Sequence, residues 1–197
     1  MGIIKKLLAS IKATIAAGFV LAILVALFGW ERTGFNLLEV TVWLHVIVGI
    51  TWIGLLYYFN FVQTPAMAEA LGDEGGPGPA AIGKYVAPRA LLWFRMSAAA
   101  TWLTGVSALE STGVGIMNAF TFASPVIGLG AWLGTIMLFN VWVLIWPNQK
   151  KILGIVEASA DEIAKAKVVA AMASRINVLL SVPMLLSMTA FAHGNMF

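Results

Sequence analysis

Long apolar runs, separated by short polar stretches that hold nearly all the charge, set the pattern of this chain from end to end. None alternates apolar with polar residues as a half-exposed strand would. Each is continuously apolar over close to the ~20 residues a helix needs to cross the hydrocarbon of a bilayer. Unpaired backbone groups are intolerable in lipid, so spanning segments are helices or closed barrels, and unbroken runs point to helices. The expected fold is all-α: a polytopic membrane bundle of about five transmembrane helices in a single domain, 1–197.

The runs fall at about 13–30, 40–62, 89–109, 122–146 and 176–192. Lys5, Lys6 and Lys12 precede the first, which is longer than a signal-peptide core and leaves through ALFGW without a small-residue cleavage site, so it reads as an uncleaved anchor. The second, VTVWLHVIVGITWIGLLYYFNFV, carries its aromatic residues toward its ends, as interfacial rings should lie. Segment 63–88 holds Glu69, Asp73, Glu74, Lys84 and the run GGPGP, and reads as a loop with a short interfacial helix at TPAMAEAL. Pro147 followed by NQKK marks a helix stop, and Ser159 with Glu162 forms a capping box that starts a helix leading into the fifth span. Pro183 should kink that span.

Charge supplies the orientation. Of the 12 Lys and Arg residues, only Arg32 falls on one side of this five-span arrangement; Lys5, Lys6, Lys12, Lys84, Arg89, Arg95, Lys150, Lys151, Lys165, Lys167 and Arg175 fall on the other. The positive-inside bias therefore predicts an N-in, C-out protein with cytoplasmic loops 63–88 and 147–175, in a membrane such as the bacterial inner membrane. No internal repeat supports a transporter built from inverted halves.

Composition agrees: 60% of residues are hydrophobic, 11% are charged, and mean hydropathy is +0.91, values no ordinary soluble domain approaches. The basic pI near 9.3 reflects anchoring residues at the ends of apolar runs, so nucleic acid is not an expected partner. With no cysteine, the chain has no disulfide, thiolate metal site or covalent haem attachment.

Two histidines, His45 and His193, both fall toward the non-cytoplasmic face in this topology. His45 lies about six residues inside its helix, roughly 9 Å from the outer end. Paired imidazoles on facing helices are a way for a bundle to hold a haem b iron noncovalently. Gly49, one turn from His45, would admit a flat macrocycle; Trp52 shares that face, and Arg32 could pair with a propionate. The alternative is structural: His45 donates to a carbonyl or a Thr, and His193 sits in the interfacial zone. Met184 and Met188 are further possible ligands, or plain packing.

A second polar group gathers near the cytoplasmic face: Asn60, Gln63, Arg95, Asn140, Asn148, Arg175 and Asn177. Arg95 lies about two turns inside its helix, where an unpaired guanidinium would cost at least ~2.5–3.5 kcal/mol. It should therefore contact Asn60, Asn140 or Asn177, forming a cytoplasm-facing anion pocket, or else snorkel for packing. Gly49, Gly54, Gly128, Gly130 and Gly134 suit close helix contact. No acid pair or nucleophile–base arrangement suggests a hydrolase.

The segments WLHVIVGITWIGLLYYFNFVQTPAM, KYVAPRALLWFRMSAAATWLTG, FNVWVLIWPNQKKILG and ASRINVLLSVPMLLSM together resemble the membrane domain of PuuD-type urate hydroxylases. The matching positions are Trp43, His45, Gly49 and Trp52; Trp93, Phe94 and Arg95; Asn140, Trp142, Trp146, Pro147, Asn148 and Gln149; and Arg175 and Asn177. In that family the membrane domain is thought to oxidise urate and pass electrons to a fused cytochrome c. The resemblance thus implies membrane redox chemistry with haem involvement, in a short form without the cytochrome c domain. Met96 and Ser97 stand where the family pattern has a Trp and an acidic residue.

The leading expectation is a membrane haem b protein for electron transfer or redox chemistry at the non-cytoplasmic face, working with another membrane or electron-transfer protein or as a homo-oligomer. The alternatives are a non-catalytic structural or accessory subunit of a larger membrane complex, then urate oxidation, then a small-solute carrier.

Overall fold

A computed structural model describes residues 2–34 and 36–194; the side chains of Ile3 and of residues 28–33 lie outside that description. Among the described residues every regular element is helical. The chain divides into two compact units, Met1–Leu37 and Leu38–Phe197.

The first unit holds α1 (Gly2–Leu8) and α2 (Ile11–Thr33). The helices meet at Ser10, whose hydroxyl accepts from the Ala13 amide while Thr14 donates to the carbonyls of Leu7 and Ser10. The apolar residues of α2 from Ile11 to Leu27 are largely exposed, as lipid-facing side chains would be.

The second unit contains α3 (Leu37–Tyr58), α4 (Thr64–Gly72), α5 (Ala87–Ser111), α6 (Ile116–Phe120), α7 (Pro125–Phe139), α8 (Trp146–Ile152) and α9 (Ala160–Ala192). Among the described residues three helical stretches are long and apolar enough to cross a membrane: Leu37–Gly72, Pro125–Ile152 and Ala160–Ala192. α5 has the length, at 25 residues, but Arg89, Arg95, Ser97, Thr101 and Thr104 lower its apolarity. Its hydroxyls are satisfied locally, since Ser97 donates to the Trp93 carbonyl and Thr101 to the Ser97 carbonyl, 2.7 Å each.

Helix continuity exceeds what the prolines suggest. The short helix expected at TPAMAEAL forms as α4, but it continues the helix from Leu37 without a break near residue 62, and the expected stop at Pro147 is a helix that continues to Ile152. The cause is shared. Three wide π-helical turns, π1 (Phe59–Gln63), π2 (Ile82–Val86) and π3 (Asn140–Ile145), each end two residues before a proline. The pre-proline amide then reaches back five residues: Thr64 to the Phe59 carbonyl, Ala87 to Ile82, and Trp146 to Val141. Widening the turn accommodates the proline's missing donor and ring without breaking the helix. The capping box at Ser159 and Glu162 forms as the sequence indicates, and α9 continues through Pro183 as one helix.

The core lies where α3, α5, α7, π3 and α9 pack around Trp52, Leu56, Phe94, Met137 and Val141. The buried stripe of α9 recurs at three- and four-residue steps through Ala166, Ala170, Ala173, Asn177, Ser181, Met184, Ser187 and Ala190. Nearly all are small, which lets helix backbones approach closely in a medium that gives no hydrophobic drive to helix association. Gly130 packs against Ser187 of this stripe and the neighbouring Met188, and Gly128 against the Ala119 carbonyl of α6, whereas Gly54 and Gly134 face open space.

Candidate functional site

His45 projects from the first half of α3 toward α5. Its Nδ1 lies 2.9 Å from the Thr101 carbonyl and 3.4 Å from the Thr104 hydroxyl. A carbonyl only accepts, so Nδ1 carries the proton, and Nε2 of the neutral ring holds the lone pair. The approach depends on Gly105, where a Cβ would stand 2.9 Å from the His45 Cε1. The structural alternative, donation to a carbonyl, is therefore realised, and it leaves the second nitrogen competent as a ligand.

His193 ends α9 as its C-cap residue and is exposed; its Nδ1 lies 2.9 Å from the Thr189 carbonyl. Both histidines thus share one tautomer, fixed each time by a threonine carbonyl. No contact among the described residues joins the two rings. Gly49 faces the Thr101 methyl, with a Cβ there at ordinary contact distance of 3.7 Å, so it serves the α3–α5 approach rather than opening a slot for a macrocycle. Trp52 is in the core, and its buried indole Nε1 lacks a hydrogen-bond partner. The Arg32 side chain lies outside the described residues. No group of three or more His, Cys, Asp or Glu suited to a metal ion occurs among the described residues.

The inner polar group divides into parts. Asn140 donates to the Asn177 side-chain carbonyl at 2.8 Å, and Asn177 donates onward to the Met137 carbonyl at 3.0 Å, both amides buried. Asn60 reaches α9 at Ser174, 2.8 Å away, and Tyr57 donates to Ser181 at 2.9 Å, since the Ser181 hydroxyl proton is engaged by the Val178 carbonyl. Gln63 is buried with its Oε1 unpartnered. Asn148 only donates to the Leu144 carbonyl of its own helix, and Arg175 is exposed.

Arg95 corrects the expectation most. It makes no hydrogen bond to Asn60, Asn140 or Asn177; its guanidinium carbon lies 3.8 Å from the centre of the Trp146 ring. A flat, weakly hydrated guanidinium is stabilised on an indole face without the desolvation of several amides. Ser174, Ser181, Thr101 and Tyr57 are the participants that sequence reasoning passed over, because serine, threonine and tyrosine in apolar helices carry no signal of their own.

The second half of the chain bears the shared pattern. Residues 107–197 match the family model described as urate oxidase N-terminal. No curated protein and no solved structure matches the chain. The urate oxidase N-terminal match covers α6 to α9 with Asn140, Trp146, Pro147, Arg175 and Asn177, and so includes the Asn140–Asn177 bond and the Trp146 platform. His45 and Arg95 lie outside it.

Replacing Gly105 with valine should push the His45 ring off the Thr101 carbonyl. If His45 ligates a metal centre, losing such an orienting bond should weaken retention about 10- to 100-fold, read by titrating haem into the purified variant.

Proposed function

We propose that this chain is an integral protein of the bacterial inner membrane, N-in and C-out with five spans, that holds a haem b through His45 and His193 for electron transfer or redox chemistry at the non-cytoplasmic face. One observation carries the ligand assignment: each imidazole donates Nδ1–H to a threonine carbonyl, which leaves Nε2 available and the ring oriented. The donor set fits a noncovalent b-type haem, since the chain has no cysteine to attach one. When bound, such a haem supplies a one-electron couple. The chain's own residues orient both rings, and the apolar helices around His45 shield that ring from water, while the His193 ring is exposed. The topology is supported by the collection of eleven cations on one side. The relation to a redox domain is supported by the urate oxidase N-terminal match.

Protein purified from membranes in mild detergent should show a Soret band and a dithionite-sensitive alpha band. With two imidazole ligands the centre is six-coordinate and low-spin, and His45→Ala or His193→Ala should abolish or convert that spectrum. A colourless protein would overturn the reading in favour of a structural or accessory subunit, and stoichiometric haem unchanged in His45→Ala would overturn the ligand assignment. A second reading, urate oxidation, is favoured by the family match alone and requires urate-dependent reduction of that same haem.

A further inference from the structure

Between α5 and the α7–π3 stretch runs an apolar groove of about 440 Å³, lined by Ala99, Trp102, Leu103, Leu138, Phe139 and Trp142 among others. Trp102 donates to the Thr135 hydroxyl across its upper end, 3.0 Å, which fixes the register of the two helices. Followed toward the basic end of the bundle, the same pair of helices brings Arg95, one turn before Ala99, over the ring of Trp146, four residues beyond Trp142. Lys150 Nζ lies 6.0 Å from that same ring. Among the described residues neither cation has a carboxylate partner: the one ion pair near this surface joins Lys151 to Glu162.

We propose that this groove and cation pair bind one anionic phospholipid, its headgroup phosphate on Arg95 and Lys150 beside Trp146 and an acyl chain along the groove. Three features favour a lipid as the occupant. The groove is apolar and walled by the exposed side chains of Leu103, Phe139 and Trp142; it leads to two cations without a carboxylate partner among the described residues; and the boundary between them is an indole, the side chain suited to the headgroup level. Contact with the Trp146 ring holds the guanidinium in place, and its N–H groups can donate to phosphate oxygens. The proposal is independent of any haem.

The test uses the full chain in detergent micelles, with bound lipid read by native mass spectrometry. Phosphatidylglycerol, phosphatidylcholine and inorganic phosphate serve as probes. Phosphatidylglycerol should be retained as a single adduct in preference to phosphatidylcholine. Arg95→Gln should reduce its retention about fivefold, as expected for one basic contact at a membrane surface. Ala99→Phe, which fills the groove and leaves the charge unchanged, should also reduce it, while Lys167→Gln, an exposed cation elsewhere, should not. If Arg95→Gln does not fold, Lys150→Gln carries the same expectation. Equal retention of both lipids, or retention unaffected by Arg95→Gln and Ala99→Phe, would overturn the proposal. Displacement of the lipid by millimolar phosphate with no effect of Ala99→Phe would overturn it in favour of a free-anion site.

Discussion

Gly128→Leu should sharply reduce the yield of folded protein from membranes and lower its stability by about 3 kcal/mol, at the upper end of what overpacking costs. The reason is the identity of the obstruction. A Cβ at Gly128 would collide with the backbone carbonyl oxygen of Ala119, and the Phe122 ring stands close by. A side chain could swing away, but this carbonyl is fixed in α6, which is joined to α7 by a turn in which Phe122 takes φ 61°. Gly134→Ala is the control, because nothing lies within 4 Å of a Cβ there. It should be neutral or slightly stabilising through helix propensity. The measurement is thermal or denaturant unfolding in mixed micelles; equal stability of the two variants would contradict the packing of α6 on α7.

Asn177→Leu should have the next largest effect, a loss of about 2 kcal/mol by the same assay. Interhelical hydrogen bonds in membranes average only ~0.6 kcal/mol and reach ~1.7. Asn177 stands at the upper end because it accepts from Asn140, donates to Met137 and is fully buried. Leucine would remove both bonds, leave the Asn140 amide unpaired in an apolar interior, and crowd the small-residue stripe of α9. The two asparagines should therefore be coupled. The double variant with Asn140→Leu should be less destabilised than the sum of the single variants, because the stranded amide is removed with its partner.

The sequence made the helices legible where the physics is local. The capping box at Ser159 depends on residues three apart, and the apolar runs depend only on the solvent being lipid, so both could be read directly. What escaped were relations between distant residues. Arg95 demanded a partner, and amides were the natural candidates on donor counts. The partner is Trp146, 51 positions away, whose ring face offers no donor or acceptor to count. The His45 partner is a backbone carbonyl, a group every residue possesses, so no residue type could announce it. Pro147 was read as an interruption because a proline is incompatible with a regular α-helix; the response of the preceding turn, widening rather than ending, lies outside that rule.

Those widened turns bear on how length is counted along these helices. A π turn takes more residues to complete a revolution than an α turn does, so the height climbed from Leu37 to Gly72 or from Pro125 to Ile152 is less than 1.5 Å per residue would give. It also shifts the phase. A helical wheel drawn continuously through Asn140–Ile145 assigns α8 to the wrong sides, and a stripe read above the turn does not continue at the same spacing below it. The faces of α7 and α8 follow two separate wheels, and the junction before Pro147 is where one hands over to the other.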